Sequence, residues 1–220
     1  MEMRSLFEAG EGPEGREKAA AEQLGLSELS WEELLDRMRS CERCRLKESR
    51  SQVVPGEGPC PAELVLIGEA PGEVEDRLGR PFVGPAGQLL DKILESAGLA
   101  REEVYISNMV KCRPPSNRTP QRDEVETCWP WLEAQLRHLR PKIIVALGNV
   151  PAQWFLGTRE GITALRGRFY PWREGIEVFP MFHPSYLLRN PSREKGSPKY
   201  LTWQDIRRVK ERLDELRGQG

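Results

Sequence analysis

Histidine is almost absent from this chain: His138 and His183 are the only two in 220 residues. That excludes a three-histidine metal centre and leaves any imidazole chemistry to one of two positions. No apolar run approaches the length that spans a bilayer. The segment Met1–Glu17 has no basic patch followed by an apolar stretch, as a secretory signal would. A cytoplasmic protein without a membrane partner, acting as a monomer, is the expectation. In a reducing compartment, five cysteines point to metal ligation or chemistry rather than disulfides.

A net charge of −1 shows no excess of positive charge for nucleic acid, but the charge is unevenly placed. Residues 1–36 hold ten acids and three bases, a net of −7, so residues 37–220 hold 30 bases and 24 acids, a net of +6. The stretch 189–212 alone has eight bases and three acids. An acidic leader on a moderately basic body is compatible with phosphate binding. Residues 1–27, rich in Glu, Gly and Ala, read as a flexible leader, and 28–220 as a single domain.

Within that domain, Ser30-Trp31-Glu32-Glu33 is a capping box that opens a helix to about Arg39 and delivers the chain to Cys41 and Cys44. Strands are expected over Glu63–Ile67, Val104–Val110 and Lys142–Leu147, the last apolar throughout and so buried on both faces. Helices are expected over Ala86–Ala97, stopped by Gly98, and from Thr119-Pro120 to Arg140, with Thr119 as cap. A short helix over Pro151–Leu156, a hairpin of Ile162–Trp172 with Ile176–Phe182, and a last helix over Trp203–Arg217 complete the pattern. Alternating strands and helices give an α/β class with a mostly parallel sheet and helices on both faces, and ligands in such sheets bind beyond the carboxyl ends of the strands.

The chemical residues fall at those ends. Cys41 and Cys44 form a C-x2-C pair; with Cys112 and Cys128 they supply four thiolates, a set that suits zinc and an iron–sulfur cluster equally on spacing alone. Cys60 is left as a free thiol. Gly68-Glu69-Ala70-Pro71-Gly72 is a turn after a strand, where glycine lets backbone approach a ligand. Phe82 lies in the loop Gly79–Gly84, as a base-stacking ring or a core anchor. Asn108 ends a strand; its amide offers one acceptor and two donors, enough to read the polar edge of a ligand. His183 precedes Pro184, which suits the first position of a short helix whose N–H groups face an anion, whereas His138 is expected on the surface.

Together these segments, with Asn108–Pro115 and His183–Leu188, resemble the iron–sulfur, or family-four, uracil-DNA glycosylases, over about 37–217. The resemblance implies a three-layer α/β/α fold around a mostly parallel four-stranded sheet. It implies a 4Fe–4S cluster on Cys41, Cys44, Cys112 and Cys128. It also implies hydrolysis of the N-glycosidic bond of deoxyuridine in single- or double-stranded DNA, the first step of base excision repair. Gly68, Ala70, Phe82, Asn108 and His183 would bind the flipped uracil, with His183 donating to O2. Glu69 would serve the sugar and the attacking water, and Gly72, Glu75 and Asn117 would lie near the site. Leu187 would wedge into the duplex, helped by Tyr186 or Arg189. Better-known uracil glycosylases carry an aspartate where Ala70 stands, so the group that activates water is the open link. A sliding clamp is carried as a candidate partner, although neither end shows a clear clamp-binding motif.

Overall fold

A computed structural model of the protein describes residues 24–218. Most of the leader therefore lies outside the described residues. Leu26, assigned to the leader above, is buried in the core.

The capping box is formed as read: Ser30 Oγ accepts from Glu33 N–H, and the Glu33 carboxylate accepts from Ser30 N–H, opening α1 (Trp31–Arg39). Strand β1 (Leu64–Gly68) leads through the glycine turn into α2 (Glu73–Leu78) and α3 (Pro85–Glu95). Then follow β2 (Tyr105–Asn108), α4 (Arg122–Leu139), β3 (Ile143–Leu147), α5 (Asn149–Leu156), α6 (Ile162–Leu165), β4 (Tyr170–Pro171), β5 (Glu177–Met181), α7 (Pro184–Arg189) and α8 (Pro198–Gly218).

The sheet order is β2-β1-β3-β5-β4, parallel except at the last pair. It has five strands rather than four, the fifth being the two-residue edge strand β4. The expected hairpin is shorter than read because Ile162–Leu165 coils into α6, where the Asn149 side chain accepts from Ile162 N–H at 2.7 Å. Helix α4 starts at Arg122, not Pro120: Gln121 is its N-cap, with the Gln121 N–H donating to the Glu124 carboxylate at 2.7 Å, and the Thr119 hydroxyl bonds the Glu69 carboxylate instead.

Alternation along β1 divides the core. Val65 and Ile67 join a cluster with Leu34 and Met38 of α1, Leu132 and Leu136 of α4, and Phe155 of α5. Leu64 and Leu66 face the other way, onto Leu90 and Leu94 of α3, Leu187 of α7 and Ile206, Val209 and Leu213 of α8. Strands buried on both faces need this apolar run, and the result is a three-layer α/β/α sandwich. His138 is half-buried rather than exposed, its ring 5.8 Å from that of Trp31. Among the described residues no helix is long and apolar enough to cross a membrane.

Candidate active site and four-thiol site

Parallel register builds the site. Gly68 pairs with Asn108 across β1 and β2, so the glycine turn and the strand-end amide meet at one edge. Met181 ends β5, and the chain then places Phe182 and His183 beside them. The open cleft there has a volume of about 650 Å³ and is lined by Glu69, Ala70, Gly72, Glu75, Phe82 and Asn108. Asn117, Phe182, His183, Tyr186 and Arg189 also line it. A side chain at position 68 would meet Asn108 Oδ1 and the Phe82 ring at 2.5 Å each, so glycine is required for these two to share the floor.

Phe82 is the core anchor its sequence context allowed, and it also lines the cleft. It is 5% exposed and packed in the core, and its ring still forms a wall of the cleft, 5.5 Å from the His183 ring. Its φ of +51° is a left-handed conformation that a phenylalanine adopts only when held. Two charged side chains hold it. Glu75 Oε1 accepts from Val83 N–H at 2.9 Å and Gly84 N–H at 2.7 Å. Arg101 donates to the Pro81 and Phe82 carbonyls at 2.6 and 3.1 Å. Arg101 carries no motif and escaped sequence reading; nothing local marks it, because its partners lie about twenty residues away.

Asn108 is 1% exposed, and its Oδ1 is a buried acceptor with no partner. A buried orphan of this kind costs about 1–3 kcal/mol unless a ligand supplies a donor. His183 is oriented just as firmly. Ser185 N–H donates to Nδ1 at 3.2 Å, with the Ser185 hydroxyl 2.8 Å from the same nitrogen. An amide only donates, so Nδ1 is the bare nitrogen and a neutral ring carries its proton on Nε2. Burial, followed by the Arg189 charge, pulls the His183 pKa down to about 4, so the ring is neutral at pH 7. The Ser185 and Tyr186 amides of α7 are taken by His183 itself and are not free for a phosphate. Burial raises the Glu69 carboxyl above its usual range, and a hydrogen bond with Thr119 opposes this.

Leu187, expected to wedge into the duplex, is not presented to solvent. Leu187 is 1% exposed and packs in the core, whereas α7 presents Tyr186 and Leu188 outward at 38% and 45% exposure. A six-residue helix lying on the sheet must bury one side, and Leu187 is on it. Asn117 is exposed on the cleft rim, where its Oδ1 accepts from Arg113 Nε at 2.7 Å.

Cys41, Cys44, Cys112 and Cys128 line a second, smaller cavity, between α1 and α4. Each sulfur faces an N–H: Trp131 Nε1 to Cys41 at 3.2 Å, Leu46 N to Cys44, Arg50 Nη1 to Cys112 at 3.2 Å, and Lys111 N to Cys128 at 3.3 Å. Four donors aimed at four sulfurs suit anionic sulfur. As bare thiols, burial pushes Cys44 and Cys112 up and Cys128 to about 12, so thiolate here needs a cationic centre. Among the described residues no three His, Cys, Asp or Glu side chains gather tightly enough to hold a single metal ion. Cys60 stands apart from the four, half-buried.

Two devices tie this cavity to the cleft, and neither was legible beforehand. Glu124, held at about 2, accepts from Arg118, Gln121 N–H and Arg45, stapling the segment after Cys44 to the start of α4 and to the cleft-lining Arg118. Lys111 is 1% exposed; its backbone N–H faces Cys128 while its Nζ donates to Ser107 Oγ at 2.7 Å and to the Asn108 carbonyl at 2.9 Å. Burial pulls the Lys111 pKa down to about 7.

Residues 55–207 match the family described as the Uracil DNA glycosylase superfamily. The chain is 46% identical over 176 residues to the type-4 uracil-DNA glycosylase of Thermotoga maritima, covering 80% of this chain and 90% of that one. It is 44% identical over 188 residues to the type-4 uracil-DNA glycosylase of Saccharolobus solfataricus, covering 82% and 85%. It is 32% identical over 196 residues to the type-5 uracil-DNA glycosylase of Pyrobaculum aerophilum, covering 74% and 86%.

Proposed function

The chain belongs to the uracil-DNA glycosylase superfamily, and from that premise we propose that this cleft flips deoxyuridine out of DNA and hydrolyses its N-glycosidic bond, releasing uracil and leaving an abasic site. The observation that carries this is the orphaned Asn108 Oδ1. It is an acceptor waiting for a donor, and the imide N3–H of uracil supplies one. Cytosine has a bare N3 there and would leave the acceptor unpaired, a mismatch that sites of this kind penalise heavily.

With N3–H on Asn108, the base lies against Phe82 and its other carbonyl, O2, reaches toward His183. As the glycosidic bond breaks, the electron pair goes to the base, and Nε2–H of neutral His183 donates to the oxygen that gains charge. A neutral imidazole does this without transferring its proton. Glu69, with its proton affinity raised by burial, takes the proton of the water that adds to the sugar. Ala70 has no carboxylate for that purpose, so Glu69 is the acidic side chain of the glycine turn that reaches the cleft. Flipping costs a few kcal/mol, less at a U·G mismatch or in a single strand. Tyr186, Leu188 and Arg189, on the exposed side of α7, fill or flank the gap left in the duplex.

The four thiols hold a 4Fe–4S cluster. An N–H faces each of the four sulfurs, which supports a centre held by thiolates, and the type-4 relatives support iron–sulfur over zinc. When bound, the cluster supplies a rigid anionic cross-link between the C-x2-C segment, Cys112 and α4, and the excision itself needs no redox step.

The deciding experiment is excision from a U·G oligonucleotide followed by alkali, with undamaged DNA alongside. Strand scission with uracil alone supports the reading; none under any condition sinks it. Metal analysis and visible charge-transfer absorbance, with Cys112→Ala as control, separate iron–sulfur from zinc.

A further inference from the structure

Outside the cleft, one surface groove combines cationic side chains with an exposed aromatic. It lies between the α6–β4 connection, at Arg166 and Arg168, and α8, at Trp203, Arg207 and Arg208. We propose that this groove holds the phosphodiester backbone of the same DNA strand, on one side of the flipped nucleotide. The proposal rests on the reading of the cleft as the uracil-excising site and extends its footprint.

Position comes first. The last turns of α8 lie at the starts of the strands: Arg212 pairs with Glu177 at 2.8 Å, Lys142 Nζ donates to the Leu216 carbonyl at 3.0 Å, and Arg217 pairs with Glu63 at 2.6 Å. A helix of 21 residues is about 30 Å long, roughly twice a five-residue strand, so its first turns overhang the opposite sheet edge. That is the edge where the cleft opens. Helix α6 joins the two places directly: Ile162 and Thr163 line the cleft, and Arg166 and Arg168 line the groove, one helical turn away. Phe182 links them through Arg166. It lines the cleft on one side, and the Arg166 guanidinium lies 5.4 Å from its ring centre.

The groove floor is rigid, and its lining carries four arginines against two carboxylates, Asp205, which is paired with Arg166, and the exposed Glu211. Arg166 is spent in a buried pair with Asp205, which is 2% exposed, and Arg208 donates to the Gly167 carbonyl at 2.5 Å. These bonds lock α8 to the α6–β4 connection. Arg168 and Arg207 are exposed and have no carboxylate partner among the described residues. Arg207 lies 3.6 Å over the face of Trp203, which is itself 39% exposed. A stacked guanidinium is pre-organised yet keeps its N–H edges free, and those edges match phosphate oxygens. The cleft is less basic, since its lining includes the carboxylates of Glu69 and Glu75 and its Arg118 is bound to Glu124.

The test is a length series of uracil oligonucleotides, extended separately on the 5′ and 3′ sides, with wild type and the double variant Arg168→Ala/Arg207→Ala. Both positions are exposed and outside the catalytic machinery. Wild-type affinity is expected to rise with extension on one side only. The double variant should lose that rise, and its slope of log affinity against log salt on long DNA should fall by about 2, roughly 1 per arginine. On the shortest uracil substrate the two proteins should cut alike. An equal slope and equal affinity on long DNA, with normal uracil release, overturns the groove and leaves the cleft intact. If wild type releases no uracil from any substrate, the reading of the cleft falls and takes the groove with it.

Discussion

His183→Ala tests the mechanism at its most constrained atom. The Ser185 amide on Nδ1 leaves Nε2–H as the ring's donor, and the ring is neutral at pH 7 because burial and Arg189 hold its pKa near 4. Removing one donor to a developing anion costs on the order of 10²–10³ in rate, about 3–4 kcal/mol. Single-turnover excision between pH 5 and 8 should show that loss at every pH. Wild type should show no histidine limb in this range; an acid limb there belongs to Glu69, whose carboxyl burial raises above its usual range, and disappears in Glu69→Gln. The same shift acts on stability. The folded pKa lies below the ordinary value of 6.5, so the unfolded chain takes up its proton first. This contribution is complete above 6.5 and is lost as pH falls toward about 4, by at most about 3 kcal/mol, at 1.36 kcal/mol per pKa unit. Urea unfolding of His183→Ala should therefore be flatter across that window than wild type. Arg189→Gln should move the His183 pKa upward. An acid limb near 6.5 that persists in Glu69→Gln, or a His183→Ala variant within tenfold of wild type, would refute the neutral-donor mechanism.

Three further perturbations probe the groups around it. Asn108→Asp replaces the amide donor proposed to face uracil O4 with an acceptor; uracil excision should fall by on the order of 10² while the urea midpoint stays, and an unchanged rate contradicts the assignment. Glu75→Ala frees the Val83 and Gly84 amides, so Phe82 relaxes from its left-handed conformation; a loss of about 2–3 kcal/mol in urea unfolding and a raised KM are expected. Lys111→Met leaves the Asn108 carbonyl without its buried donor, at about 1–3 kcal/mol, partly offset by removal of a buried charge. Slower hydrogen exchange near Asn108 in wild type than in the variant would confirm the link, and identical exchange would break it.

Several of these contacts were invisible in the chain because their partners are remote. Glu75 and Arg101 meet around Phe82 only because α2 and the segment before β2 flank one loop. Lys111 looks like an ordinary surface lysine beside a cysteine until β2 leads it under the sheet edge, 1% exposed. Leu187 fits a wedge by its place after His183, yet which side of a six-residue helix faces the core is set by the sheet beneath it.

What the sequence determined by itself was local or compositional. A capping box announced α1, an unbroken apolar run announced β3, and four cysteines announced a shared centre, since each of these signals is contained within a few residues or in side-chain chemistry. Motif resemblance picked out Phe82, Asn108 and His183, which line one cleft, and named the family. Tertiary structure alone decided the rest: the register that sets Gly68 beside Asn108, the fifth strand at the edge, the proton position on His183, and the exposed rather than buried leucine of α7. Those depend on long-range packing, where a side chain's role is fixed by whatever the fold brings against it.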